Sequence, residues 1–91
     1  MKNETPDYAN AKRVITMTHE QASLLTSYIL MTTQYRRREA EAWAKLAEER
    51  EPDGTPSFKN AKSNADFYRD LDGKLEEIRR VIDAAPFVRG E

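Results

Sequence analysis

The sequence predicts an all-α fold: an antiparallel hairpin of two long helices, preceded by a short N-terminal helix and completed by self-association into a helical bundle. Three observations carry this expectation. A capping box opens a run from residue 19 to residue 50 that holds neither proline nor glycine. A cluster of two prolines and an Asp-Gly interrupts the chain at residues 51–56. Beyond it, apolar residues recur at Phe58, Ala61, Ala65, Tyr68, Leu71, Leu75, Ile78, Ile82 and Ala85, every gap being three or four, which is the period of one helix face.

Each element has a local cause. Thr5-Pro6 resembles a helix start, with threonine as cap and proline in the first turn, and predicts a short helix near residues 6–13. Arg13 to Met17 then runs extended. In Thr18-His19-Glu20-Gln21 the threonine side chain can accept from the Gln21 amide while the Gln21 side chain reaches back to Thr18, with Met17 and Ala22 as the accompanying apolar staple. The stretch from Ala40 to Glu49 is rich in Ala, Glu, Lys and Leu, all strong helix formers. One helix over 19–50, roughly 48 Å long at 1.5 Å per residue, follows. Glu51-Pro52-Asp53-Gly54-Thr55-Pro56 makes the turn. Thr55-Pro56 repeats the cap-then-proline start, giving a second helix over 57–85 that Pro86 ends. Phe87-Val88 is apolar enough to dock, and Arg89-Gly90-Glu91 frays. The segments 5–12 and 55–62 share Thr, Pro, Asn, Ala and Lys, with Tyr8 matching Phe58; a shared helix start accounts for the echo.

Ninety-one residues make one domain. Fifteen Lys+Arg against sixteen Asp+Glu leave a net charge of −1, which argues against a general nucleic-acid binder and against an acidic decoy of DNA. Without cysteine there is no disulfide scaffold, thiolate metal site or cysteine nucleophile, and one histidine cannot build a multi-histidine metal site. The longest unbroken apolar run, Tyr28 to Met31, is too short to span a membrane or to form a signal core, so a soluble cytoplasmic chain is expected.

The first long helix has more apolar circumference than one neighbour can cover. Ala22, Leu25, Ile29, Ala40, Trp43 and Ala47 lie along one side, and Leu24, Tyr28, Met31, Tyr35, Ala42 and Leu46 along the other. Together they take about half the wheel, whereas one partner needs about a 100° stripe. A two-helix hairpin of this size would also struggle to form a sufficient core. A homo-oligomer, most simply a dimeric four-helix bundle, is therefore expected. Thr32, Arg36 and Glu39 interrupt the sector along one line. They form either an Arg36–Glu39 pair in a wet strip, or a polar layer that fixes register, or a partner-binding point; an unpaired buried guanidinium would be costly, so Arg36 needs an acceptor. With Tyr28, Tyr35 and Trp43 they make the candidate partner-binding set, since Tyr, Trp and Arg anchor interfaces. The aromatics of the second helix are Phe58, Phe67 and Tyr68, and their spacing is that of core residues.

The remaining constellations are weak chemistry. Arg36-Arg37-Arg38 point about 100° apart and form no flat patch, and Arg37–Glu41 and Glu41–Lys45 are ordinary i,i+4 pairs. Six acids against two bases over residues 39–57 would repel a phosphate backbone. Arg36, Arg37, Arg38, Arg79 and Arg80 are the candidate contacts if nucleic acid were bound. Tyr8, Lys12, Phe58 and Lys62 are the candidates if the echo made paired pockets for a nucleotide signal. Asp70-Leu71-Asp72-Gly73 fails as a calcium loop because Tyr68 and Arg79 fall where carboxylates are required. His19 lies in an exposed first turn, and Asp66–Arg69, Asp70–Lys74 and Glu76 with Arg79 and Arg80 lace a solvated face. With no phosphate-binding glycine loop, metal cage or nucleophile, neither an enzyme nor a cofactor is expected.

The order of a short lead-in, Ile15-Thr16-Met17-Thr18-His19-Glu20-Gln21-Ala22, a long helix, a Pro/Gly turn and a second long helix, spanning residues 14–85, resembles small accessory proteins of phages and prophages. The resemblance implies a non-enzymatic binder, some proteins of that kind being inhibitors of host defence systems, CRISPR nucleases among them. The near-neutral charge departs from DNA mimicry, so the expected action is occupation of a host protein's surface.

Overall fold

The computed structural model describes residues 8–87. Helix takes 65% of them and no strand forms among them. The helices are α1, His19–Met31, α2, Thr33–Ala47, and α3, Ala61–Ala84.

The capping box at Thr18 forms as the sequence predicts. The Gln21 amide donates to Thr18 Oγ1 at 3.0 Å, and the Thr18 amide donates to Gln21 Oε1 at 2.9 Å. The helix expected over 19–50, however, is two segments joined at Thr32, and it ends at Ala47. Two consecutive threonines turn their hydroxyls back onto the preceding turn. Thr32 Oγ1 donates to Tyr28 O at 2.9 Å, and Thr33 Oγ1 donates to Ile29 O at 3.1 Å. Such back-bonding competes with the main-chain ladder and bends helices.

The N-terminal expectation is corrected. Tyr8, Ala9 and Asn10 form a turn and residues 11–18 have no regular structure, so residues 8–13 are not helical, while Pro6 and Asp7 lie outside the described residues. A cap and a proline favour a helix start, but about eight residues with no apolar face to bury cannot offset its nucleation cost. The expected fraying of Arg89-Gly90-Glu91 also falls outside the described residues.

The connection between α2 and α3 is longer than the expected turn, covering residues 48–60. Arg50 Nη1 caps α2 by donating to Ala47 O at 2.7 Å. Gly54 closes a turn through its amide on Glu51 O at 2.8 Å, at a φ of 90° that only glycine adopts without strain. Thr55 does not cap a helix. Its amide and its hydroxyl both donate to Asp53 Oδ1, at 2.9 and 2.7 Å, and Pro56 pairs with Arg50 across an isolated bridge. With Thr55 and Pro56 held in that loop, α3 starts four residues later than the proline signal implies, after Asn60.

Contacts between α2 and α3 pair Arg36 with Asp72 and Tyr35 with Tyr68, and bring Ala44 and Ala47 beside Ala65. Numbers rise along one helix as they fall along the other. The C-terminal half of α3 meets α1, and the Phe87 ring lies 5.3 Å from that of His19. The helices lie in a single layer, and with the irregular residues 11–18 the chain has extents of 69 × 48 × 14 Å and a radius of gyration of 19.4 Å, against about 12 Å for a compact domain of this length. The buried apolar residues are Ile29, Ala40, Ala61 and Ala65, three of them alanines. The alanines let the backbones approach closely, and they supply little apolar area.

Two glycine variants test these local causes. A Cβ on Gly73, inside α3, would meet open space, so Gly73→Ala should raise the unfolding free energy by about 1 kcal/mol in urea titration. Gly54→Ala should lower it by about 1–2 kcal/mol because of its backbone angle. In the loop, the Thr55 hydroxyl and then the Thr55 amide hold the Asp53 carboxyl below its ordinary pKa. The stability this adds is present above the unfolded pKa and lost as pH falls through the folded one. Thr55→Val should move the Asp53 titration upward in NMR, toward its ordinary value.

Candidate functional site

Arg36 organises the middle of the layer. It is 3% exposed, and its guanidinium reaches acceptors on three sides. Nε donates to Asp72 Oδ1 at 2.9 Å, Nη2 donates to Ile29 O at 3.0 Å and to Thr33 Oγ1 at 3.2 Å, and Nη1 donates to Thr32 Oγ1. The expected Arg36–Glu39 pair is therefore replaced by one that crosses between helices. Glu39 instead accepts from the Tyr35 hydroxyl at 3.3 Å. Arg37 turns away from Glu41, with Nε 3.4 Å from the second Asp72 oxygen. A buried cation needs a carboxylate and saturated hydrogen bonding; among the described residues no buried side-chain polar atom lacks a partner.

Asp72 is the residue that sequence reasoning missed as a functional partner. Its signal was present: Ala61, Ala65, Tyr68, Asp72 and Leu75 recur at gaps of four and three, which puts one acid on the inward stripe of α3 facing an arginine-bearing helix.

The candidate partner-binding residues separate into two groups. Tyr28, 66% exposed, and Tyr35 lie open on the surface; Thr32 and Arg36 are consumed by the internal network, and Trp43 is half-buried on the side that meets α3. One sector of the first rod faces α3 and the other is open, with two departures: Leu25 of the covered sector is 37% exposed, and Leu46 of the open one is half-buried. Ile29, Ala40, Trp43 and Ala47 turn toward α3, whereas Leu24, Tyr28, Met31, Tyr35 and Ala42 are exposed, Met31 to 79%.

The opposite surfaces of the layer differ sharply in chemistry. Tyr35 stacks edge-on against Tyr68 at 6.3 Å, and Tyr68 against Phe67 at 5.3 Å, so the open sector of the first rod continues onto α3. At 100° per residue, Phe67, Leu71 and Ile78 share that side of α3; Phe67 and Ile78 are exposed and Leu71 is half-buried. The neighbouring Tyr68 hydroxyl, then the Glu39 carboxylate, raise the Tyr35 pKa above its ordinary value, which keeps the phenol a neutral donor. The reverse surface carries a shallow groove lined by Ala44, Ala47, Glu48, Lys62, Asp66 and Arg69, and it is laced by Lys62–Asp66 at 3.2 Å and Arg79–Glu76 at 2.8 Å.

The alternative sites do not assemble. Of the five arginines offered for nucleic acid, Arg36 and Arg37 are held by Asp72, and Arg79 is paired with Glu76 and Asp83. Arg38 and Arg80 are exposed, on different helices. The echo does not produce equivalent pockets either: Tyr8 lies in a turn and Lys12 in irregular chain, whereas Lys62 is helical. Among the described residues no group of acids and histidine could hold a metal ion, and no helix is long and apolar enough to cross a membrane. No known family, curated protein or solved structure matches the chain.

Removing either half of the central pair should be far more damaging than trimming its exposed companion. Arg36→Ala or Asp72→Ala should cost about 3 kcal/mol in chemical denaturation, and Arg37→Ala less than about 1 kcal/mol.

Proposed function

We propose that this chain is a non-enzymatic protein-interaction module, an antiparallel helical hairpin that docks protein through one broad apolar surface. The observation that supports the reading is the stripe of Leu24, Tyr28, Met31 and Tyr35, exposed on the side of the bent rod that continues through Tyr68 onto Phe67 and Ile78. Contiguous apolar area of this kind, rich in tyrosine and free of internal cover, is the chemistry of an interface core. The likeness in element order to phage and prophage accessory proteins adds a role to the proposal: modulation or inhibition of a host defence protein by covering its surface.

Protein contact is favoured over nucleic acid because three of the five candidate arginines, Arg36, Arg37 and Arg79, already hold carboxylates, which weakens the counterion release that drives phosphate binding. Capture from cells followed by mass spectrometry tests the reading. Wild-type chain and a Lys62→Glu variant of the charged surface should retain the same protein, and Tyr28→Lys should lose it at least tenfold. Equal capture by all three would overturn the assignment of the face. Fluorescence anisotropy with labelled DNA and RNA at low salt should show no binding.

A further inference from the structure

We infer that the occupant of the apolar surface is a second copy of this chain, packed face to face so that two single layers become one four-helix bundle. The inference rests on the interaction reading above and commits it to a partner.

Area is the first argument. The chain exposes 8400 Å², whereas a compact monomer of its 10.5 kDa mass would expose roughly 5,400 Å². The excess is about 3,000 Å² per copy, and part of it belongs to residues 8–18, which precede the first helix and are exposed throughout. If the helical layer supplies about a third, some 1,000 Å² on each of two copies, pairing would bury about 2,000 Å² in total, at the lower end of the range of obligate homodimers.

Shape is the second argument. A thickness of 14 Å is one helix deep, and a stable core needs two packed layers. The missing layer must be as long as this one and present an apolar surface of matching helical spacing. Another copy meets both conditions by construction, because a two-fold axis makes the surface its own complement. A large net charge would oppose such pairing, and at −1 the chain presents no such barrier.

Chemistry along the surface is the third. Leu24, Tyr28, Met31 and Tyr35 from the first rod, with Phe67 and Ile78 from α3, carry no charge. Glu39 is held by the Tyr35 hydroxyl. Those six side chains can therefore be dehydrated without burying a charge of their own.

Sedimentation equilibrium on the full chain, with dye binding by 1-anilinonaphthalene-8-sulfonate and circular dichroism alongside, tests the proposal. Wild type should run at twice 10.5 kDa and bind little dye. Ile78→Lys should keep its helical signal and weaken dimerisation at least tenfold. Leu24→Lys, at an exposed position, gives the same readout if Ile78→Lys loses helix. Leu30→Lys, on the opposite side of α1 and equally open to solvent, should remain a dimer.

A wild-type chain that stays monomeric at every concentration while binding dye strongly would overturn the second copy but leave a foreign protein as occupant. A monomer that binds no dye would overturn both readings. A dimer broken by Leu30→Lys and not by Ile78→Lys would put the contact on the wrong face and sink the proposal.

Discussion

A guanidinium with almost no access to water sits where the bent rod crosses the long C-terminal helix, and its hydrogen bonds govern much of the surrounding geometry. Arg36 can stay charged there because Asp72 answers it from α3 and because Ile29 O, Thr32 and Thr33 take its remaining protons. The Ile29 carbonyl accepts from Thr33 and Arg36 together, and this is the turn at which the first rod bends. The bend and the buried ion pair are thus one feature. It sets the register between the helices, since sliding either by a turn would separate the charges in a region of low dielectric.

The pair also explains why so few large side chains are buried. Helix contact here is made by alanines and a polar network, so the bulkier residues project to one side of the layer. Tyr28, Met31, Phe67 and Ile78 remain on the surface not because the core is full but because a layer one helix thick has no second side to enclose them. Their exposure links the internal architecture to the proposed function: what stabilises the monomer's register leaves the apolar area for contact with another protein layer.

Much of this was legible from residue order. The capping box at Thr18 and the three-and-four spacing through α3 are local patterns, and local hydrogen bonding and side-chain direction are enough to realise them. The two apolar sectors of the first rod were also readable, because a helix wheel needs only sequence. The Thr55-Pro56 start was misread: Asp53 draws both Thr55 donors into a turn and Pro56 is drawn toward Arg50, and these competing partners have no weight in a propensity argument. Residues 8–13 failed as a helix for the related reason that a good start signal does not stabilise a segment with nothing to pack against.

The sequence by itself therefore determined the helical class, the capped beginning of α1 and the surplus of apolar circumference, all properties set within a few residues of each other. Tertiary structure decided the acceptor of Arg36, the bend at Thr32 and which apolar sector α3 would cover. The acceptor of Arg36 and the covered sector depend on groups more than thirty positions apart meeting across an interface, and the bend, though made by hydrogen bonds to the preceding turn, is tied to the same guanidinium. The energy of a buried charge is defined only once its distant partner and its distance from water are known.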